Sequence, residues 1–244
     1  VPDGASFKRE GEDLLVQGLN QQILSSTVAP DGDVYFTIWQ PRGGLGSVWR
    51  LKDPGPASAD AISTKTVLTK GLADQSVSEC VAFLDHPDRR VRMAAQFELV
   101  ARKETKALQA VVLDEKAQIL SRLHSLWALG QLDHKDKELL AALCASPDAE
   151  IRAQAVRWAG DLVFDPDNII PGLLGDPSPR VQLFAGITCG KLKSPGALGA
   201  LTSLLVSADN KIPVLRHAGV AGLVGVASED ELRGFSNHKS EAMR

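Results

Sequence analysis

The chain has 244 residues, 44% of them hydrophobic, and its Lys+Arg 27 against Asp+Glu 30 leave a net charge of −3. That is enough chain to bury a sizeable core in one large domain or two small ones. No run of five like charges suggests a nucleic-acid arm, and no apolar stretch approaches the roughly 20 residues that cross a bilayer, so neither nucleic-acid binding nor a membrane span is expected.

The N-terminal Val1-Pro2-Asp3-Gly4 carries no initiator Met, basic segment or apolar segment, and no signal peptide is visible. Residues 1–52 read as β structure. Residues 23–28 are apolar and β-branched, Ala29-Pro30-Asp31-Gly32 is a turn signal, and Val34-Tyr35-Phe36-Thr37-Ile38-Trp39 is a second strand, apolar on both faces. Pro41-Arg42-Gly43-Gly44-Leu45-Gly46 makes another turn and Ser47-Val48-Trp49-Arg50-Leu51 a third strand, which completes an antiparallel meander. Such a small sheet has open edges and needs covering layers. Residues 53–66, rich in Pro, Ala, Ser, Asp and Gly, read as a linker.

From residue 67 to about 235 the texture changes to Ala- and Leu-rich segments with helical periodicity and a visible internal repeat. Arg92, Arg122 and Arg152 stand 30 residues apart, Gln182 continues the series, and Arg216 follows after 34. Three residues after each come Ala95, Ser125, Ala155, Ala185 and Gly219; eight after come Val100, Gly130, Gly160, Gly190 and Val224. Offsets of −1, +3, +7 and +10 from the Arg column mark one face of a helix, and small residues at +3 and +8 let a neighbouring helix approach closely. Ten residues after, Leu132, Leu162, Leu192 and Val226 are apolar, with Arg102 the exception.

Pro87, Pro147 and Pro177 each precede the repeat position by five residues, where a fixed φ suits a first helical turn. Shorter apolar helices are expected over 77–84, 108–113, 139–143, 169–174 and 198–206. The fold class that follows is mostly α: a solenoid of about five helical hairpins, each buried only by stacking on the next, with a small N-terminal antiparallel β segment and a polar tail over 236–244.

Ser-Pro-Asp-x-x-Ile-Arg-x-x-Ala at 146–155, Asp-Pro-x-x-Arg-Val at 176–181 and Arg-Leu-His-Ser-Leu-Trp-Ala-Leu-Gly-Gln-Leu at 122–132 resemble HEAT repeats. Ala-Pro-Asp-Gly-x-x-Tyr at 29–35, Trp39 and Gly-Ser-Val-Trp-Arg-Leu at 46–51 are similar to the last blade of glucose- or sorbosone-dehydrogenase-like β-propellers. Together they resemble large exported bacterial proteins, described as membrane-bound dehydrogenases, in which a propeller is followed by HEAT repeats and often by cytochrome c. The resemblance implies an internal slice of such a protein and a periplasmic or exported location. The chain departs from it at Ile38, where Asp commonly precedes the blade tryptophan, and in having no Cys-x-x-Cys-His for haem. One blade also cannot close a propeller.

Catalytic spacing is missing. Cys80, Cys144 and Cys189 form no Cys-x-x-Cys pair and read as buried free thiols. His86, His124, His134, His217 and His238 form no metal-ligand pair and read as loop or surface residues. Gly43-Gly44-Leu45-Gly46 leads into a strand, so it is read as a hairpin turn and not a phosphate loop. No G-x-S-x-G orients a nucleophile. The expectation is a non-enzymatic scaffold without metal or cofactor that binds a protein partner or a neighbouring domain; the alternative is the C-terminal part of a propeller dehydrogenase whose active site lies outside this chain.

The Arg column reads as structural, with Arg92, Arg122, Arg152 and Arg216 pairing with acidic residues of the preceding turn (Asp88, Asp148, Asp176) or with loop carbonyls. Trp127 and Trp158 flank the apolar face and read first as core. If exposed, they would form a recognition patch with His124, Gln154, Arg157 and Lys191. The HEAT resemblance implies that these second helices line the concave surface.

Overall fold

The computed structural model describes residues 2–3, 6–7, 11, 22–39, 46–52, 54–209 and 211–244. The fold is mostly helical with a small antiparallel sheet, and it divides into two compact units: Gly11–Arg102, and Lys103–Arg244 together with Val1–Glu10. The N-terminal residues contribute a two-residue ladder, β1 (Pro2–Asp3) on β2 (Ser6–Phe7), to the latter.

In the Gly11–Arg102 unit, β3 (Gln22–Val28), β4 (Val34–Trp39) and β5 (Ser47–Leu51) form an antiparallel sheet in that order. Gly32, at φ +89, closes the first turn, in which Ala29 N–H donates to Asp33 O at 2.8 Å. The expected second turn falls on residues 41–45, which lie outside the described residues. The ladder pairs, with a bulge between Ile23 and Ser25, put Ile23, Val28, Val34, Phe36, Ile38, Trp49 and Leu51 on one face together with Ser26 and Ser47. Gln22, Ser25, Thr27, Tyr35, Thr37, Trp39, Val48 and Arg50 occupy the other. This corrects the reading of a strand apolar on both faces: Thr37 bonds Ser25 at 2.9 Å and Arg50 lies over the Tyr35 ring at 5.8 Å, so the second face is largely polar.

Residues 59–66 are not linker. Helix α1 (Ala59–Lys70) starts there because Ser58 Oγ accepts from Ala61 N–H at 3.1 Å; only Thr64 and Val67 of it are buried. Helix α2 (Val77–Phe83) opens on a reciprocal Ser76–Glu79 capping box, and α3 (Arg89–Ala101) packs on both α1 and α2. Arg102, the exception in the apolar column, donates to the carbonyls of Leu72 (2.9 Å), Ala73 (2.9 Å) and Gln75 (2.7 Å), so it holds the turn between α1 and α2. Arg90 Nη1 donates to Val28 O at 2.5 Å and ties α3 to β3 within this unit.

The other unit contains α4 (Thr105–Leu113), α5 (Ile119–Gln131), α6 (Lys137–Cys144), α7 (Ala149–Leu162), a 3-10 turn over Ile170–Gly175, α8 (Pro179–Leu192), α9 (Leu198–Ala208), α10 (Pro213–Val226) and α11 (Glu229–Gly234). Helices α5, α7, α8 and α10 pack in series as one layer; α4, α6, the 3-10 turn and α9 each pack on their partner from that layer, so the hairpins stack as in an α-solenoid. The expected helix over 169–174 is a short 3-10 turn with Pro171 in its first turn, and Asp165 caps it by accepting from Ile169 N–H (2.9 Å) and Ile170 N–H (3.0 Å). A Cβ on Gly160 would lie 2.5 Å from Thr188 Oγ1, and one on Gly190 2.5 Å from Ala221 O, which accounts for the small residues at the eighth offset.

The prolines need correction. Pro87, Pro147 and Pro177 precede the N-caps Asp88, Asp148 and Ser178 instead of entering the first turn. Each Pro biases the residue before it toward extended backbone. That residue's side chain then accepts the N–H two positions on: His86 from Asp88 (3.0 Å), Ser146 from Asp148 (3.3 Å), Asp176 from Ser178 (2.8 Å). Helices α3, α5, α7 and α8 also end alike. Lys103, Asp133, Val163 and Lys193, 30 residues apart, all have φ between 50° and 59°. His134, Phe164 and Ser194 bond back to Leu129 O (3.0 Å), Ala159 O (2.9 Å) and Cys189 O (3.0 Å) in Schellman closures. The polar tail is corrected as well, since the 3-10 turn Glu241–Met243 packs on α9 and buries Ala242 and Met243.

Candidate functional site

Helices α5 and α7 leave a cleft of about 400 Å³ between them, lined by Trp127, Gly130, Gln131, Gln154, Arg157, Trp158 and Asp161 among others. Four of the sequence-derived candidates, Trp127, Gln154, Arg157 and Trp158, meet there. Trp127 is 38% exposed and held in place: its Nε1 donates to Gln154 Oε1 at 3.1 Å, and Gln154 Nε2 donates to Glu150 Oε1 at 2.8 Å. Glu150 in turn accepts from Arg180 of α8 at 2.5 and 3.0 Å, so three layer helices fix one indole ring.

His124 is not a surface residue. It is 3% exposed in mid-α5, with its ring edge-on to Trp127 at 5.0 Å, so it supports the tryptophan from behind. Trp158 is only 5% exposed, as the core reading expects. Lys191 lies outside the cleft lining but donates to Asp161 Oδ1 at 2.6 Å, while Arg157 Nε stands 3.5 Å from Asp161 Oδ2. Asp161 and Glu150 were not singled out from the sequence. Their signal was the repeat period itself, because Asp161–Lys191 and Glu150–Arg180 are both pairs 30 residues apart.

The arginine column binds carbonyls. Arg92 donates to His86 O (2.7 Å) and Pro87 O (2.8 Å), Arg152 to Ser146 O (2.8 Å) and Pro147 O (3.1 Å), Gln182 to Asp176 O (2.8 Å), and Arg122 to Val112 O (3.0 Å). Pairing with an acid of the preceding turn is corrected: Asp88 pairs with Arg90, Asp148 caps its own helix, and Arg152 reaches forward to Asp176 with two bonds of 2.8 and 2.9 Å. Arg216 is exposed, and Asn210, six residues before it, lies outside the described residues. Burial of Asp176 opposes ionisation, but the Arg152 guanidinium and the Ser178 N–H outweigh it and hold the carboxyl below its usual range.

All three cysteines are free and buried. Burial pushes the Cys144 thiol up to about 12 and the Cys189 thiol up to about 11, so neither supplies a thiolate near neutral pH. Among the described residues no cluster of His, Cys, Asp and Glu converges as metal ligands, and no helix is long and apolar enough to cross a membrane. No protein-family model matches the sequence, and no curated protein matches it either.

Proposed function

We propose that the chain is a HEAT-like interaction scaffold that performs no chemistry of its own and presents the α5–α7 cleft to a protein partner or a neighbouring domain. The observation that carries this reading is Trp127: a large, part-exposed ring immobilised by Gln154 and His124 beside the charged Arg157. Rigid aromatic anchors next to an arginine contribute heavily to binding because little side-chain freedom remains to be lost. The 30-residue recurrence of Schellman closures and carbonyl-binding arginines supports the HEAT-like reading of the stack. The test is affinity capture under crosslinking with the native chain and with Trp127→Ala/Arg157→Glu. A partner captured by the native chain should be lost by the variant at unchanged helical content. Equal recovery by both sinks the cleft as the site.

A second reading is favoured by one feature, the exposed apolar face of the sheet. Ile23, Val28, Trp49 and Leu51 are all exposed there, as expected of a blade waiting for neighbouring blades. On this reading the chain is the C-terminal part of a propeller dehydrogenase that builds its active site elsewhere, in an exported protein. Sequencing the natural gene upstream of Val1 tests it, and a lack of further blade-like repeats there removes it.

A further inference from the structure

In the Trp127–Gln154–Glu150–Arg180 chain the Trp127 N–H, both polar ends of Gln154 and both Glu150 oxygens are paired, yet the neighbouring Trp158 Nε1 has no partner and is sealed from solvent. An unsatisfied buried donor is costly, and the indole N–H can act only as a donor, so what would complete it is an acceptor oxygen. The Cδ1–Nε1 edge of this ring faces Gly130, a residue of the cleft wall: a Cβ there would stand 3.2 Å from Cδ1 and 3.7 Å from Nε1. The rim carries charge. Arg157 and Lys191 share the one carboxylate of Asp161, two cations on one anion; Arg157 and Asp161 line the cleft with Trp127, and Lys191 stands just outside the lining.

We infer that the cleft is a site for an acidic peptide segment of a partner protein, in which an apolar side chain lies on Trp127 and the following Asp or Glu carboxylate accepts from Trp158 Nε1 and faces Arg157. This rests on the interaction reading above and names its ligand chemistry. Nε1 is sealed in the free chain, so the ligand must displace part of the lining, of which Gln131 and Arg157 are exposed. Gly130 is small because a side chain there would press on the donor edge of the indole.

The test uses the full chain and two fluorescein-labelled peptides, acetyl-Ser-Gly-Leu-Glu-Gly-Ser-amide and its Glu-to-Gln counterpart, followed by anisotropy and by the indole N–H signals of the four tryptophans. The Trp158 signal is assigned by its loss in Trp158→Phe, which keeps a buried ring without the donor. The Glu peptide should bind more tightly than the Gln peptide, weaken with added salt, and move the Trp158 N–H downfield. Trp158→Phe should weaken Glu-peptide binding about tenfold, the worth of one such hydrogen bond. Equal binding of both peptides with Trp158 unmoved overturns the acidic-ligand inference while leaving the cleft an interaction site. Absence of binding by either peptide overturns the inference too, and the interaction reading then stands or falls on the crosslinking capture alone.

Discussion

Of the residues sharing the apolar face of the sheet only Phe36 and Ile38, both on the central strand, are buried; in α7 all positions from Ile151 to Gly160 are buried except Arg152 and Arg157. Both elements are strongly patterned, so the pattern does not explain the difference. The number of covered sides does. Helix α7 has α5 on one side, α8 on the other and α6 across its hairpin, whereas β3 and β5 each have one strand neighbour among the described residues. A solenoid layer turns periodic sequence into burial through its neighbours, while a three-stranded meander leaves its outer strands in water. The functional consequence is that α7, with neighbours on three sides, can hold Gln154, the hydrogen-bond partner of Trp127, rigidly.

The comparison breaks most severely if the close approach between α8 and α10 is blocked. A Cβ on Gly225 would collide with the backbone carbonyl of Gly190, which cannot rotate away. Gly225→Val should therefore cost about 4 kcal/mol or more by overpacking against main chain, read as a collapse of the urea midpoint by circular dichroism. The matching probe in the sheet is Val48→Thr on its exposed face, with an expected effect within about 0.5 kcal/mol. If the two substitutions have similar effects, burial by neighbours is not what separates the regions.

A smaller break comes from charge. Asp176→Asn puts an amide N–H₂ where the Arg152 guanidinium expects oxygen and leaves a nearly buried cation half-paired. The loss should be about 3 kcal/mol. The folded carboxyl titrates below the unfolded value of about 3.9, so the wild-type contribution is present above that pH and is lost as pH falls toward the folded value. Asp88, held down chiefly by the side-chain bonds from Arg90, and Asp136, held down chiefly by the Leu139 N–H, add acid sensitivity of the same sign. The variant should thus show a shallower stability loss between about pH 5 and 3 than wild type, measured by urea unfolding at each pH. Equal slopes would remove Asp176 from the account.

The stack was legible in the sequence because successive hairpins repeat the same physical demands: small residues where helices touch, a carbonyl-binding residue near the start of α3, α5, α7 and α8, and a left-handed residue at the end of those helices. That last demand was missed, since Lys103, Asp133, Val163 and Lys193 share a backbone conformation and no side-chain chemistry. Helix α1 was hidden because Pro54, Gly55 and Pro56 dominate the composition just before it and the helix itself buries only Thr64 and Val67. The candidate cleft was found through its aromatics, but which ring would be open was not. Trp127 stands five residues after Arg122 and Trp158 six after Arg152. One residue rotates a side chain by about 100° around a helix, which separates a half-exposed ring from a buried one.

The smallest effect has the opposite sign. Where the sheet needs positive φ it uses glycine, Gly32 at +89; the stack instead places a β-branched residue, Val163, at φ 50 and ψ 57 with 69% of its surface exposed. A left-handed β-branched residue is strained by its own Cβ, and here almost no packing compensates. Val163→Gly relieves that strain and loses part of the gain to the larger entropy of the unfolded chain. The net expectation is a stabilisation of about 0.5–1 kcal/mol, seen as a higher urea midpoint at unchanged slope. Lys193→Gly, at the same repeat position and φ but without branching at Cβ, should gain less. If Lys193→Gly gains as much as Val163→Gly, the strain belongs to the left-handed backbone alone and the branched side chain adds nothing to it.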